Sequence, residues 1–229
     1  MANSYGPKGI VTDGLVFSAD AGNIQSWVTS STTCYDVIGG NVLTLQGSSG
    51  TPPVPSYDSD GGGCWDFDGT DDRISFGTDL VNTIYSYSIA FKIGSDDSSY
   101  GYLVSYNVSN KYGLALDEGG GGAGGYGKLY YWHVAVTQLA DMSTTNWNHI
   151  TFVGNATTDN GIVYLNGDEV YNGAIGGSGI GDTINMIGAY VSYSHYWNGK
   201  IANMSYYNKA LTASEVLQNY NSQKARFGL

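Results

Sequence analysis

Carboxylates are concentrated in one short stretch of the sequence. The segment DFDGTDD, residues 66–72, holds four aspartates in seven positions. Ca²⁺ takes about six to eight hard oxygen ligands, and such a segment can supply part of that set. Aspartate is also typical of tight turns, where its side chain accepts hydrogen bonds from nearby backbone N–H groups. We favour the turn interpretation, expect no cofactor, and keep weak Ca²⁺ binding at this segment as the alternative.

A glycoside hydrolase needs two carboxylates that flank the scissile bond, one as the acid and one as the nucleophile or base. Glu118, Glu169 and Glu215 are the only glutamates, and Glu215 is placed to cap a helix. Asp66 and Asp68 have the i, i+2 spacing of residues on one face of a strand, but they lead into the predicted turn. The sequence also lacks the G-x-S-x-G segment of a serine hydrolase. We therefore predict that the protein is not an enzyme.

Aromatic residues are clustered in two segments. A predicted loop before the last strand contains the first cluster, which consists of Tyr190, Tyr193, His195, Tyr196 and Trp197. A flat, weakly charged aromatic surface can stack on sugar rings, so we predict that these five residues bind carbohydrate. The second candidate lies beside the glycine-rich segment 119–127 and consists of Tyr126, Tyr130, Tyr131 and Trp132. In both clusters the alternative is that the rings fill the core, since tryptophan above all is usually mostly buried.

The charge balance excludes one class of partner. The chain of 229 residues has 20 acidic and 9 basic residues, a net charge of −11, and its basic residues are scattered. Such a potential repels phosphate backbones, so we expect no nucleic-acid partner.

Targeting signals and cysteine chemistry point to a protein made in the cytoplasm. Residues 1–9 show no apolar segment after a basic stretch, and no run approaches the roughly 20 apolar residues of a membrane span. We predict no signal peptide and no membrane insertion. Cys34 and Cys64 are the only cysteines, and a chain of this size needs no disulfide, so we expect reduced, half-buried thiols.

Alternating apolar and polar residues predict many short strands. In Tyr85–Ile93 the odd-numbered residues form an apolar face, and the even-numbered residues are expected to face water. Asn166–Gly167 predicts a type I′ hairpin turn, and Asn198–Gly199 and Asp68–Gly69 are weaker examples. Successive strands without interleaved helices predict an all-β fold of two antiparallel sheets. The other predicted strands are Gly14–Ala19, Val42–Gln46, Trp65–Phe67, Arg73–Phe76, Tyr102–Tyr106, Tyr112–Leu116, Leu129–Thr137, His149–Val153, Ile162–Leu165, Asn185–Ala189 and Lys200–Tyr207.

One short helix is predicted near the C terminus. Thr212 and Glu215 have the spacing of a capping box, and Leu211 and Val216 are placed as its hydrophobic staple. The helix is expected to pack on the sandwich through Ala213, Val216, Leu217 and Tyr220. We assign residues 1–12 to an N-terminal arm and residues 13–229 to one β-sandwich domain.

Four segments, taken in order, resemble the laminin G-like, concanavalin A-like lectin and glucanase superfamily, in particular the copies found in tailed-phage virion proteins. These segments are Gly14–Asn23 (GLVFSADAGN), Cys64–Gly77 (CWDFDGTDDRISFG), Trp147–Val170, and Ile187–Leu229. The resemblance implies a jelly-roll sandwich. This sequence departs from the pattern of its relatives in two places. The Glu-x-Asp-x-x-Glu strand of the related glycosidases is absent, and Ile201–Met204 lacks the acidic residue that calcium-binding members use in the closing strand.

The resemblance implies a virion structural protein, a capsid decoration or fibre component displayed on the virion surface after synthesis in the host cytoplasm. Its expected partners are capsid or fibre proteins, and weak adhesion to host glycans is a further expectation. The attachment candidates are Asn3, Tyr5, Pro7, Arg226 and Phe227. The alternative is a free carbohydrate-binding lectin, and a glycoside hydrolase ranks third. Homo-oligomerisation is left open.

Overall fold

The computed structural model describes residues 9–28, 30–48, 55–95, 100–108, 111–117, 126–132, 136–175, 182–190 and 195–229. These residues form two antiparallel sheets that face each other, with one helix at the C-terminal end. The predicted fold class, a two-sheet sandwich of the concanavalin A type, is confirmed. Within the described ranges, no helix combines the length and the apolar composition that crossing a membrane requires.

The first half of the chain contributes strands to both sheets. These elements are β1 (Leu15–Asp20), β2 (Thr33–Tyr35), β3 (Val42–Gln46), β4 (Ser56–Asp58), a 3₁₀ turn (Asp60–Gly62), β5 (Cys64–Asp68), β6 (Arg73–Asn82), β7 (Ile84–Ile93), β8 (Tyr100–Val108) and β9 (Lys111–Asp117). The second half contributes β10 (Lys128–Trp132), β11 (Val136–Asp141), β12 (Asn148–Asn155), β13 (Asn160–Leu165), β14 (Asp168–Ala174), β15 (Asp182–Ile187), β16 (Ala189–Tyr190), β17 (His195–Tyr196), β18 (Asn198–Tyr207) and α1 (Ala213–Phe227).

The two sheets are built from strands that are distant in sequence. Sheet A has the order β14-β13-β12-β7-β18-β5-β4, and β1 pairs with the second half of β18 beside β5. Sheet B has the order β11-β10-β9-β8-β15-β6-β3-β2. A small ribbon, β16 with β17, packs against β8. The last strand of the chain is therefore a central strand of sheet A.

Aromatic rings fill much of the space between the sheets. Tyr87 of β7 stacks on Phe152 of β12 with the ring centroids 5.2 Å apart, and Tyr131 of sheet B stacks on the same phenylalanine at 5.2 Å. Tyr85 and Tyr206 are stacked at 6.0 Å. Offset stacking of this kind adds to the free energy gained by burying the rings, so these contacts hold the sheets together.

The predicted core face of β7 is confirmed, whereas the prediction for its other face is wrong. Tyr85, Tyr87, Ile89, Phe91 and Ile93 are buried in the main core, but Ser86, Ser88 and Ala90 are buried as well. The reason is that the chain after β18 covers this face of sheet A. The Ser86 hydroxyl donates to the Lys209 carbonyl at 2.9 Å and accepts from the Leu211 N–H at 2.9 Å. Ser88 is hydrogen-bonded to Thr151 at 2.8 Å.

The C-terminal helix begins as predicted and packs through a different face. The Thr212 side chain accepts a hydrogen bond from the Glu215 N–H, and the Glu215 carboxylate accepts one from the Thr212 N–H. These two bonds confirm the capping box. Leu211 and Val216 are buried in one cluster, as the staple requires. The predicted contact residues Ala213 and Leu217 are instead exposed, and Leu217 is 46% exposed. The buried helix residues are Val216, Asn219 and Phe227.

A buried asparagine explains why the helix packs on the sheet through residues other than Ala213 and Leu217. Asn219 Oδ1 accepts from the Val11 N–H at 2.7 Å, and its Nδ2 donates to the Tyr207 hydroxyl at 3.0 Å. The Tyr207 hydroxyl lies 3.1 Å from the Val11 carbonyl. Buried polar groups of this kind must be paired, so Asn219 faces the sheet and Leu217 faces outward. Val11 is 7% exposed, and this part of the predicted N-terminal arm therefore packs on its own chain.

Two of the three predicted turns are corrected by the structure. Asn166 and Gly167 have φ values of 51° and 89° and join β13 to β14, as a type I′ hairpin requires. Asn198 and Gly199 instead begin β18. The chain after Asp68 leaves sheet A and enters sheet B, so it forms an arch between sheets and not a hairpin.

The strand prediction also missed or merged several elements. Leu129–Thr137 is two strands, β10 and β11, and the short strands β2, β4 and β17 and the edge strand β14 were not predicted. These missed strands are short or mainly exposed, so their apolar alternation is weak.

Both cysteines are free, as predicted, and they are more deeply buried than expected. Cys34 and Cys64 are each 0% exposed. Burial disfavours the thiolate and raises the pKa of Cys34 to about 11 and that of Cys64 to about 12. Such thiols are inert at neutral pH.

His149 makes the stability of this fold sensitive to acid. Its side chain is 1% exposed between β12 and α1, and neither ring nitrogen has a hydrogen-bond partner among the described residues. Burial lowers its pKa from 6.5 to about 4. A lowered histidine pKa means that the unfolded state binds the proton more readily. The contribution of His149 to the free energy of unfolding is therefore fully present above about pH 6.5 and is lost as the pH falls towards 4.

We predict that His149→Leu flattens the dependence of unfolding free energy on pH between about 6.5 and 4, where wild type should lose on the order of 3 kcal/mol. Urea unfolding at a series of pH values measures this. The half-buried His195 offers a control, because His195→Gln should retain most of the wild-type slope. An unchanged slope in His149→Leu would contradict the assignment.

Candidate functional site

An aromatic layer lies on the outer face of sheet B, away from the main core. Residues alternate between the two faces of a strand, and in β9 Leu114 and Leu116 enter the core while Ala115 lies outside. The outer cluster consists of Tyr100 and Tyr102 from β8, Tyr130 from β10, Tyr190 from β16 and His195 from β17, and we call it the aromatic layer.

The rings of the aromatic layer are packed against one another. Tyr102 stacks on His195 with centroids 6.0 Å apart and lies 5.3 Å from the Tyr190 ring. Tyr100 meets His195 edge to face at 6.1 Å and Tyr130 at 6.5 Å. These contacts restrict the orientations that the rings can adopt.

Backbone contacts hold the β16–β17 ribbon over sheet B. The Ser105 hydroxyl donates to the Ala189 carbonyl at 2.5 Å, and the Gly188 N–H donates to the Leu103 carbonyl at 3.2 Å. Gly188 has φ +81°, and a Cβ at this position would lie 2.3 Å from the Phe67 ring. Only glycine fits this approach, and the ribbon depends on it.

The structure contradicts part of the predicted carbohydrate site. Tyr190 and Trp197 are both 0% exposed, because Tyr190 lies within the aromatic layer and Trp197 packs edge to face on Phe91 in the main core. Neither ring can stack on a sugar. Tyr193 lies outside the described residues. His195 and Tyr196 are half-buried, and their predicted role stays a prediction.

The side chains of the second predicted aromatic cluster do not lie on one face of sheet B. Tyr131 points into the core and Tyr130 into the aromatic layer, while the side chain of Trp132 lies outside the described residues. Tyr126 is half-buried, and its hydroxyl donates to the Gly94 carbonyl at 2.6 Å. Tyr100 and Tyr102 were missed, although their i, i+2 spacing in a strand places both rings on one face.

Burial affects the charge state of His195 at the edge of the aromatic layer. Burial disfavours the imidazolium and lowers the pKa of His195, so its ring is neutral at physiological pH. A neutral imidazole has one donor and one acceptor nitrogen, and Tyr196, the next residue of β17, is also half-buried. A neutral ring beside hydrogen-bonding groups suits a sugar hydroxyl better than a charged ligand.

The acidic segment forms the arch between β5 and β6. Asp68 Oδ1 accepts from the Thr70 N–H at 2.8 Å, which confirms the predicted turn role of this aspartate. Asp71 Oδ2 accepts from the N–H of Ser48 at 2.9 Å and from its hydroxyl at 2.5 Å. One carboxylate oxygen each of Asp68, Asp71 and Asp72 lies within 4.8 Å of the others, so the group has the composition and spacing of a metal site.

Several other described carboxylates make ion pairs or hydrogen bonds within the chain. Lys200 makes ion pairs with Asp58 and, at 3.8 Å, with Asp66. Glu215 caps the helix and pairs with Lys209 at 2.7 Å, and Glu169 is exposed on the edge strand β14. Glu118 lies outside the described residues.

Two predicted attachment residues are used within the chain. Arg226 contacts both carboxylate oxygens of Asp20, at 2.6 and 2.9 Å, and donates to the carbonyls of Gly61 and Gly63. Phe227 is 6% exposed and packs on Trp147 at 4.9 Å. They fasten the end of α1 to the 3₁₀ turn, and their predicted role in docking on a partner stays a prediction. Asn3, Tyr5 and Pro7 lie outside the described residues.

Comparison of the sequence with protein-family models identifies a family. The laminin G-type model of the Concanavalin A-like lectin/glucanases superfamily matches residues 68–217, which is more than half of the chain. The match begins in the acidic arch and ends within α1, so it includes β16, β17 and β18. No curated protein sequence matches the chain significantly.

Solved structures share the fold at low sequence identity. A Trypanosoma rangeli sialidase with the inhibitor DANA has a TM-score of 0.67 and 14% identity, over 95% of this chain and 34% of the sialidase. Domain 4 of the arabinanase AbnA from Geobacillus stearothermophilus, with arabinotriose, has a TM-score of 0.64 and 17% identity, over 90% of this chain and 98% of that domain. The binding domain of Paraclostridial Mosquitocidal Protein 1 has a TM-score of 0.63 and 16% identity, over 91% of this chain and 52% of that domain's chain. This chain thus spans about a third of the sialidase.

We predict that Arg226→Ala lowers the free energy of unfolding by about 2 kcal/mol, because it leaves Asp20 and two carbonyls without their charged donor. Thermal or urea unfolding measures the loss. Lys224→Ala, on the same helix, is the control and should change stability little. A fully stable Arg226→Ala variant would show that this arginine is free for a partner.

Proposed function

This chain belongs to the Concanavalin A-like lectin/glucanases superfamily, and from that premise we propose that it is a carbohydrate-binding protein without catalytic activity. The observation that carries the proposal is the half-buried His195, which packs against Tyr100 and Tyr102 at the edge of the aromatic layer, followed in β17 by the half-buried Tyr196. A sugar ring stacks on an aromatic face through its C–H groups and pairs its hydroxyls with neighbouring polar atoms. An imidazole and a phenol ring are side chains of the kinds that make these two contacts.

The arrangement of the carboxylates supports a role without catalysis. Glycoside hydrolysis needs an acid and a second carboxylate on opposite sides of the bond to be cleaved. Asp58 of β4 and Asp66 of the neighbouring β5 share the ammonium group of Lys200. The hydrogen bond from Lys200 lowers the pKa of Asp58, whereas burial raises the pKa of Asp66, and the contact with Lys200 occupies both carboxylates within the fold.

We predict that Tyr196→Ala and His195→Ala each weaken oligosaccharide binding by about fivefold, the cost of losing one aromatic contact of roughly 1 kcal/mol. A panel of neutral and sialylated oligosaccharides identifies a ligand, and titration calorimetry then compares the variants. Tyr35→Ala is the control, since Tyr35 is 49% exposed on the distant edge strand β2.

Three outcomes contradict this proposal. One is that no oligosaccharide binds the wild-type protein, and another is that Tyr35→Ala weakens binding as much as the two site variants. The third concerns catalysis: recovery of the bound oligosaccharide in cleaved form would overturn the non-enzymatic assignment.

We further propose that the protein is displayed on a virion, as a capsid decoration or fibre component that attaches weakly to host glycans. This rests on the likeness of its segments to domains of tailed-phage virion proteins. A weak, neutral glycan site gains strength when many copies are held on one particle, because each bound copy raises the effective concentration of the next.

We expect mass spectrometry of purified virions to recover this chain in a stoichiometric amount together with capsid or fibre proteins. A monodisperse protein found only outside particles would contradict the virion role. The carbohydrate-binding proposal would then stand as that of a free lectin.

A further inference from the structure

The Asp72 carboxylate is buried without a full set of partners. The residue is 3% exposed, and its Oδ1 has no hydrogen-bond partner among the described residues and no contact with solvent. Its Oδ2 accepts one bond, from the Asp68 N–H at 3.1 Å. An unpaired buried carboxylate oxygen is costly, so the protein keeps such a group only where something else offsets the cost.

The neighbours of Asp72 increase this cost. One carboxylate oxygen each of Asp68 and Asp71 lies within 4.8 Å of one from Asp72. Within the described ranges, neither Asp68 nor Asp72 makes an ion pair with a lysine or an arginine. The three carboxylates thus repel one another, and a cation would relieve that repulsion.

The arch holds these carboxylates in place from three sides. Ser48, which follows β3, binds the Asp71 side chain. Arg73 donates to the Asp71 carbonyl at 2.9 Å, and the Gly69 N–H donates to the Trp197 carbonyl at 3.1 Å. The acidic group therefore sits where sheet A, sheet B and the segment after β17 meet.

We propose that the arch between β5 and β6 binds a divalent metal cation, Ca²⁺ by the chemistry of its ligands, through the carboxylates of Asp68, Asp71 and Asp72. Carboxylate-only ligands favour a hard cation over zinc. The site is separate from the closing-strand position of calcium-binding relatives, where this chain has Ile201–Met204 and no acid. It is also independent of the carbohydrate proposal, because it needs neither His195 nor Tyr196.

The experiment is calorimetric titration of CaCl₂ into the full chain after removal of metal with EDTA, alongside thermal unfolding with and without Ca²⁺. We expect one saturable site with a Kd of about 1 mM or lower, the range of extracellular Ca²⁺ modules, and a melting temperature that rises with Ca²⁺ concentration. MgCl₂ should bind more weakly, because Mg²⁺ demands a stricter geometry and gives up its water reluctantly.

Two variants and one control separate this site from other acidic groups. Asp72→Asn and Asp68→Asn should each weaken Ca²⁺ binding by about tenfold or more, since each removes a charged ligand. Asp68→Asn keeps the oxygen that accepts the Thr70 N–H, so it tests the site even if Asp72→Asn fails to fold. Asp168→Asn removes the same charge from the exposed start of β14 and should leave binding unchanged.

Two results would overturn the site. The first is a wild-type protein that shows no Ca²⁺ binding and no Ca²⁺-dependent melting temperature, which would mean that Asp72 is neutralised by a proton alone. The second is equal Ca²⁺ affinity in wild type and Asp68→Asn. Neither result depends on whether an oligosaccharide binds.

Discussion

The antiparallel pairing of β18 with β7 is the interaction on which the other parts of this structure depend. It runs from Gly199 opposite Ile93 to Tyr207 opposite Ser86 and places the last strand in the middle of sheet A. The segment before β18 therefore lies over sheet B and closes the aromatic layer. The segment after it returns across the outer face of sheet A as α1. Because both faces of this strand pair are buried, its register cannot shift without moving either segment.

Opposite faces of the molecule are closed in different ways. On sheet A, polar contacts fasten the helix: Asn219 holds Val11 and Tyr207, and Arg226 holds Asp20 beside the 3₁₀ turn. On sheet B, aromatic rings pack on aromatic rings and leave His195 and Tyr196 partly open to solvent. An aromatic edge that is partly open to solvent can stack on a sugar ring. This difference places the proposed carbohydrate site on sheet B.

The acidic arch links the two faces. Asp68 ends β5 in sheet A, pairs in register with Asn198 at the start of β18, and is followed by a chain that enters sheet B. A cation there, as proposed, would join the two sheets at the corner next to the β16–β17 ribbon. Turn geometry and metal binding are compatible uses of the same aspartates, because an aspartate can accept a backbone hydrogen bond with one oxygen and offer the other to a cation.

The sequence by itself determined the features that depend on neighbouring residues: the alternating strands, the type I′ turn at Asn166–Gly167, the capping box of Thr212 and Glu215, and hence the all-β class with a C-terminal helix. Only the tertiary structure decided which faces are covered. Alternation marks two faces of a strand but cannot tell that Ser86 lies under a segment more than a hundred residues away. For the same reason Tyr190 and Trp197 were expected at the surface, although Phe91 and Tyr102 cover them. Burial is a property of contacts between distant segments, and local periodicity carries no information about those contacts.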